Sequence, residues 1–435
     1  MSRFSVFAIP SVPCYHVFVA DTNVLIIGGG VIGTACAEYL TLRGAAVTLI
    51  ERNHQIGTGC SYGNCGLIVP SHSLPLPMPG MLAQAGRWLL QADSPFYIKP
   101  RLSWELLCWL ARFARSSNQV HLQHAASALG QLSARSHELY GQMADADGAH
   151  MGYARKGTLY VYRTQVGLEH AVHELEMVNK HGAKGELLSA SQLRELEPSI
   201  TGQVAGATYF QEEAHAEPLA VVQTFGARAE HRGARIISGA EVIDWHCDGQ
   251  RISAVETTRG RFEAETVVLA TGSWTPSLVR ALQLKVPIQA GKGYAVIVEP
   301  FSPAPQIPAL LGEVKVCVTP RQGSVRLAGT MELAGMDESI TKARVEAIVR
   351  GAREFYTQLP PRPVVREVWR GLRPCTPDGL PMIGRTQRWD NLILASGHAM
   401  LGLTLAAATG EMVADIITNQ PLRMDPTPFS PSRFS

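Results

Sequence analysis

Three glycines and one carboxylate, Gly28, Gly30, Gly33 and Glu51, carry the first chemical signal in this chain. In the pattern Gly-x-Gly-x-x-Gly the first glycine lets the chain turn off a strand and the second lets backbone approach a pyrophosphate. The third lets a helix pack close to the sheet. A pyrophosphate then sits on the N-terminus of that helix, where Val31 and Ile32 form the first turn and unpaired N–H groups favour negative charge. Glu51 ends the next apolar segment, where a carboxylate accepts from ribose hydroxyls, and Arg52 follows it. Glycine-rich turns are common, so the signal rests on context: an apolar strand before, a helix after, and a second strand ending in the acid.

Such a fingerprint serves nicotinamide and flavin dinucleotides alike. The segment from Gly57 to Gly66 (Gly-Thr-Gly-Cys-Ser-Tyr-Gly-Asn-Cys-Gly) favours the flavin. It is a loop of small and amide-bearing residues that can bring backbone N–H groups to a second face of a cofactor, with Ser61, Asn64 and Gly66 as candidate contacts. Cys60 and Cys65 within it read first as small residues, with a redox role as the alternative.

The elements that must position these residues follow from pattern. Residues 23–27, 31–42 and 46–50 read as strand, helix, strand, a βαβ unit that needs a parallel sheet. A proline-rich loop spans 70–79, and helices are expected at 81–90, 104–114, 123–147 and 168–181. A strand is expected at 156–163. Glu217-Pro218-Leu219 opens a helix ending near Gly233, with proline in the first turn where a missing N–H costs little. Strands follow at 235–238, 242–245, 251–257 and 266–270, then strand-rich sequence from 287 to 330. Helices at 340–359 and 405–418 complete the pattern.

Composition bounds the function classes. The 435 residues are 46% hydrophobic and 17% charged, as expected of a large buried interior and more than one core. A net charge of +2, with no run of like charges, gives no nucleic-acid surface. The eight cysteines form no CxxC and no His/Cys cluster has zinc spacing, so no metal site is expected. No apolar run is long enough to span a membrane. Residues 1–21 loosely resemble a signal peptide, but Pro10, Pro13 and His16 interrupt the apolar run, and an N-terminal extension is expected.

Nine short motifs in fixed order then carry a family resemblance. They are the fingerprint, the Ser61-to-Gly66 loop, the Pro75-to-Gly80 turn, Glu217-Pro218-Leu219, and Ala270-Thr271-Gly272-Ser273-Trp274. Gly291-Lys292-Gly293-Tyr294, Trp369-Arg370-Gly371-Leu372-Arg373-Pro374, Thr376-to-Pro381 and Gly397-to-Gly402 complete the set. From 23 to about 420 the chain resembles the D-amino-acid oxidase-like superfamily of flavoproteins, and within it most resembles the bacterial D-amino acid dehydrogenases (flavin subunit). It departs at Ala399, where relatives carry glycine, at Glu217, where many carry Asp, and at the two loop cysteines.

The resemblance implies an α/β (α+β) fold. A Rossmann-type FAD-binding domain is assembled from 22–75, 205–285 and 365–420. A substrate-binding domain with a mixed or antiparallel sheet comes from 76–204 and 286–364, with 1–21 as an extension and 421–435 as a tail. It implies non-covalent FAD, since no cysteine stands where sarcosine-oxidase relatives attach their flavin. Val242, Thr271, Gly272, Trp274, Gly397, His398, Gly402, Leu403 and Thr404 join the cofactor contacts.

The implied chemistry is hydride transfer from the Cα of a D-amino acid to flavin N5, giving a 2-oxo acid, with electrons passed to a quinone or respiratory-chain acceptor. Arg373 occupies the family's carboxylate-binding position, and the planar guanidinium suits that task. The structural alternative pairs it with Asp378. Arg321 is the second choice. Tyr294 is expected to line the pocket or to be an ordinary half-buried strand tyrosine. His398 is expected beside the flavin ring, with the N-terminus of the following helix aimed at it. Competing readings are a dehydrogenase for D-proline or hydroxy-D-proline, a glycine- or sarcosine-type oxidase releasing peroxide, and a subunit inactive without partner chains. A cytoplasmic enzyme is expected, with peripheral contact to the inner face of the cell membrane one use for Trp88, Trp104, Trp109 and their neighbouring arginines Arg87, Arg101, Arg112 and Arg115. Core packing is the other.

Overall fold

The computed structural model describes residues 23–81, 96–101, 103–180 and 182–434. The expected extension 1–21 and nearly all of the expected helix at 81–90, with Arg87 and Trp88, lie outside them.

The apolar run Asn23–Ile27 (β1) is buried on both faces, as a strand in a parallel sheet must be. It pairs in parallel with Ala46–Glu51 (β2) on one side and Thr266–Leu269 (β13) on the other. Arg235–Ser238 (β9) extends the sheet beyond β2, Leu392–Ser396 (β20) beyond β13, and Met382–Arg385 (β19) adds an antiparallel edge. The order is β19-β20-β13-β1-β2-β9. The chain therefore leaves β1 toward β2 and later returns on its opposite side, and the carboxyl end of β1 is the switch point at which such sheets bind ligands.

Two glycines make the turn after β1. Gly28 has φ +111, and a Cβ there would lie 2.6 Å from the Ala270 carbonyl oxygen. A Cβ on Gly33 would overlap the Gly28 carbonyl oxygen. The helix Val31–Leu42 (α1) thus packs directly on the strand that precedes it.

Further helices that matter to the site are Trp104–Ser116 (α2), Gln119–Met151 (α3), Pro218–His231 (α4), Lys342–Arg353 (α5) and Gly402–Ile417 (α6). Helices α1, α3, α4 and α6 cover one face of the six-stranded sheet in a common apolar core. Three acids buried among these helices have arginine partners. Glu38 takes Arg228 at 2.8 Å and Arg232 at 2.6 Å, Glu411 takes both ends of the Arg135 fork, and Asp415 takes Arg43. Paired in this way, the carboxylates keep charged partners where desolvation would otherwise be costly.

The second sheet is mixed and nine-stranded. Val365–Cys375 (β18), Gln289–Val298 (β14), Ser324–Leu333 (β17), Val316–Arg321 (β16) and Ala309–Leu311 (β15) lie side by side. Thr158–Tyr162 (β5), Gly206–Phe210 (β7) and Glu186–Ser189 (β6) follow, and Phe96–Ile98 (β4) pairs with β17. Val242–Asp248 (β10), Arg251–Thr257 (β11) and Gly260–Glu263 (β12) form a three-stranded meander, and Leu67–Ile68 (β3) pairs with Ala214–His215 (β8).

Two strands depart from the expected grouping. β7 and β18 lie in stretches the sequence assigns to the dinucleotide segments, yet both pair in the nine-stranded sheet. The cofactor-like signal of 369–374 arises because β18 ends where the two sheets meet. The last residues are not a free tail: Phe429 is buried, and Arg433 pairs with Asp378 at 2.7 Å.

Replacing Gly33 by alanine forces apart two pieces of backbone, and overpacking of this kind costs about 1–3 kcal/mol. The G33A variant should unfold at a lower urea midpoint with an unchanged m-value, followed by circular dichroism. A midpoint equal to wild type would show that α1 can move off β1.

Candidate active site

The switch point opens into one long cleft, with about 1330 Å³ of empty space including its mouth. Its walls come from several turns and strand ends. Gly28, Gly30, Val31 and Ile32 enter from the β1–α1 turn, and Glu51 and Arg52 from the end of β2. Ser61 and Asn64 come from the small-residue loop, and Val242, Thr271, Gly272 and Trp274 from the far side. His398, Gly402 and Leu403 close the remaining end. Gly33, Gly66, Gly397 and Thr404 stand behind the lining. Gly66 accepts from Ala216 N–H at 2.8 Å, and the Thr404 hydroxyl donates to Leu67 O at 3.0 Å.

Two helices begin at this cleft, α1 at Val31 and α6 at Gly402, so two positive helix ends face it. The first N–H of α1, on Val31, donates to Ser61 Oγ at 3.0 Å, which ties the loop to the helix start. Glu51 is buried and already accepts from Gly29 N–H at 2.7 Å and Asn53 N–H at 2.8 Å. A carboxylate has lone pairs for about two further donors, so ribose hydroxyls can be added without breaking these bonds. The Arg52 guanidinium lies 3.9 Å from the Trp274 ring centre, a cation–π contact beside the ribose position. Asn64 braces its own loop, accepting from Gly66 N–H at 2.9 Å and donating to Met400 O at 3.2 Å.

His398 is buried, and its Nε2 lies 3.1 Å from the Thr409 hydroxyl on α6. Burial pushes its pKa down to about 3. At neutral pH it is an uncharged ring fixed against the helix, which suits positioning rather than proton abstraction. The next residue, Ala399, has φ +46 and lines the cleft in a left-handed conformation that favours glycine. The departure from the family's glycine therefore falls on a strained position.

Arg373 flanks the end of the cleft near Cys60, one residue before Pro374, which lines it. The side chain reaches across β14, and Nη1 donates to the Thr330 carbonyl of β17 at 2.6 Å. It can do so because Gly293 has no side chain; a Cβ there would overlap the guanidinium. Among the described residues no carboxylate lies in ion-pair range of Arg373. Asp378, its expected structural alternative, is held by Arg433.

The other two catalytic candidates are not brought to the cleft. Arg321 is spent on Glu217, Nε to Oε2 at 2.7 Å, and the buried Arg326 holds the second oxygen of that carboxylate at 3.1 Å. Tyr294 is buried in the core on the α5 side of its sheet, and its hydroxyl donates to Glu332 Oε1 at 2.9 Å. Strand alternation is the reason: Gly293 faces Arg373, so Tyr294 faces away.

The Cys60 thiol is pushed up to about 11 by burial, with Arg373 pulling the other way, so it is a protonated wall of the cleft at neutral pH. Cys65 hydrogen-bonds the Cys317 thiol, which lowers the Cys65 pKa and raises that of Cys317. Sequence reading missed Gly29 as a donor to Glu51 and Thr330 as the support of Arg373. No side-chain chemistry announces a backbone carbonyl, so Thr330 had no signal. Gly293 has one, the Gly-x-Gly spacing before Tyr294, which marks a place where a side chain must be absent.

Two expectations follow. Ala399→Gly removes a left-handed alanine, worth about 1–2 kcal/mol, and should raise the thermal midpoint, while an unchanged or lower midpoint would show that the turn is not strained. For His398, the unfolded chain takes up protons below the ordinary value of 6.5 that the folded chain refuses until about 3, so this group removes stability as pH falls through that window. H398Q should therefore lose less stability than wild type between these pH values in urea titrations; parallel losses would place the ring in water.

Comparison with known proteins agrees with this geometry. A model of the family described as FAD dependent oxidoreductase (DAO) matches residues 23–416. The chain is 32% identical over 407 residues to the D-amino acid dehydrogenase of Xylella fastidiosa (strain M12), covering 92% of each. It is 30% identical over 409 residues to that of Methylobacterium sp. (strain 4-46), covering 92% of this chain and 96% of the relative. Among solved structures it resembles the glycine oxidase from Geobacillus kaustophilus, with a TM-score of 0.76 at 22% identity, over 95% of this chain and 99% of that one. The L-proline dehydrogenase from P. horikoshii gives 0.75 at 22% identity over 95% and 98%. With a family match across nearly the whole chain and relatives at 30–32% identity, the chain belongs to the DAO family of FAD-dependent oxidoreductases.

Proposed function

We propose that this chain is a D-amino acid dehydrogenase that converts D-amino acids to 2-oxo acids and ammonia and passes the electrons to a quinone-type acceptor. The observation that supports it is the Arg373 guanidinium, held by a carbonyl and paired with no carboxylate among the described residues, at the end of a dinucleotide cleft. The preference for D-amino acids rests on the relatives named above.

The residues fit FAD, held without a covalent bond. The Gly28–Gly30 turn borders the open cleft at the start of α1, where a pyrophosphate would sit, and Glu51 keeps acceptor capacity for a ribose. Bound FAD supplies the two-electron acceptor for the hydrogen that leaves the substrate Cα. The chain's own residues do the rest. Arg373 grips the substrate carboxylate through its planar fork and fixes the direction of the Cα–H bond. Neutral His398 holds the turn that leads into α6, and the positive end of that helix favours negative charge nearby. The substrate amine gives its proton to solvent, and water hydrolyses the released imine to the 2-oxo acid.

A lipid-soluble acceptor is reached at a membrane surface. Trp104 and Leu107 of α2 are exposed, and Arg112 and Arg115 lie on the same helix, which supports peripheral contact. Trp109 of that helix is buried, donating to Cys375 O at 3.0 Å. No helix among the described residues is long and apolar enough to cross a membrane.

The purified protein should reduce an artificial dye with D-amino acids in a panel containing both enantiomers and both prolines, without releasing peroxide. Arg373→Ala should lower kcat/KM by about 30- to several-thousand-fold, the usual cost of deleting one partner of a buried charge pair. Its flavin spectrum should stay near wild type. Turnover within a few-fold of wild type would remove Arg373 as the anchor, and peroxide formation would make the protein an oxidase.

A further inference from the structure

We propose that a polar network buried behind the nine-stranded sheet, made of Lys292, Tyr294 and Glu332, is a positioning device for Arg373, acting through the backbone of Thr330. This rests on the reading of Arg373 as carboxylate anchor.

The support of Arg373 is a carbonyl in an unusual place. Thr330 lies inside β17 with φ +65, a left-handed conformation that is a genuine outlier for a β-branched residue. Strained backbone of this kind persists only where the surroundings over-determine it. Its origin is a bulge. Between Lys292↔Glu332 and Tyr294↔Gly329 the register of β14 and β17 shifts, so β17 carries one residue more than β14. The extra residue turns the Thr330 carbonyl so that it accepts from Arg373. A sliding bulge would move that carbonyl and the guanidinium with it.

The residues that bracket the bulge are bonded to each other on the far face. Lys292 and Tyr294 flank Gly293, so they project away from Arg373. Both reach Glu332, the residue of β17 that closes the bulge. Lys292 Nζ lies 3.4 Å from Oε2, and the Tyr294 hydroxyl donates to Oε1 at 2.9 Å. Arg344, near the start of α5, lies 3.1 Å from Oε1, and Thr341 N–H donates to the Tyr294 hydroxyl at 3.2 Å. The Lys292 and Glu332 side chains are 1% and 4% exposed. Buried ion pairs contribute little net stability compared with apolar packing, and their best attested use is fixing register. Here the register they fix is the one that presents Thr330 to Arg373.

The test uses the FAD-loaded protein and propionate, a carboxylate with no amine to oxidise. Its affinity is read from the flavin absorbance change and by calorimetry. Displacement of an anchor by mutation at a distance can cost up to about 100-fold, so Tyr294→Phe and Glu332→Gln should each weaken propionate and raise substrate KM by about tenfold or more, with FAD affinity unchanged. The effect should run through Arg373, so adding Tyr294→Phe to Arg373→Ala should change nothing further, a coupling that a general loosening of the fold does not give. Additive losses in that double variant overturn the proposal, as does wild-type propionate binding by both single variants when Arg373→Ala has lost it. If Arg373→Ala itself binds propionate normally, the anchor reading has failed and the positioning role falls with it.

Discussion

A positive charge beside the cleft, Arg373, with no carboxylate in ion-pair range among the described residues, organises the site. Many other buried or half-buried guanidinium groups have carboxylate partners: Arg326 and Arg321 share Glu217, Arg344 has Glu332, Arg433 has Asp378, and Arg228 and Arg232 share Glu38. Arg373 has one carbonyl dipole. A half-buried cation so weakly compensated opposes folding and favours whatever anion arrives, because desolvation is offset only when a counter-charge is present. The missing side chain at position 293, the outlying Thr330 and the bulge between them all keep that charge in one place.

The two sheets have different tasks, and the cleft lies at their junction. The parallel sheet supplies the switch point, the glycine turn and the acid. The mixed sheet supplies the arginine. β18 joins the tasks, since it pairs along β14 and then delivers Pro374 to the cleft, where Pro374 O accepts from Ala399 N–H at 3.0 Å and Cys375 bridges to His398. A short run of chain therefore sets the distance between the anchor and the turn that leads into α6.

This division explains what the sequence discloses. The βαβ unit was legible because alternation, helical period and glycine spacing are local properties, and α1 and β1 appear within the expected bounds. Arg373 and the linings from 271–274 and 398–403 were legible as motifs. The sheet membership of β7 and β18 was not, since strand partners are chosen across long stretches of chain and neighbouring residues do not encode them. For Tyr294 the sequence left two readings open, and the strand tyrosine is the one that fits, because one residue along a strand reverses the face. Thr330 contributes a carbonyl, which every residue has, so only the bulge distinguishes it. The Ala399 departure was visible, and its meaning appeared only with its φ.

The central position of β1 also governs the order in which the molecule can be assembled. Its neighbour β2 emerges from the ribosome soon after it, but the strand on its other side is β13, and β20 lies beyond that. Until those late segments arrive, the Gly28 turn has no Ala270 to rest on and α1 has no α6 beside it. Contacts between distant parts of a chain form slowly and leave apolar surface uncovered in the interval. A nascent chain can thus hold a correct βαβ unit yet still lack the far walls of its cleft. Capture of the dinucleotide then belongs to the end of folding and can act as the step that locks the finished sheet.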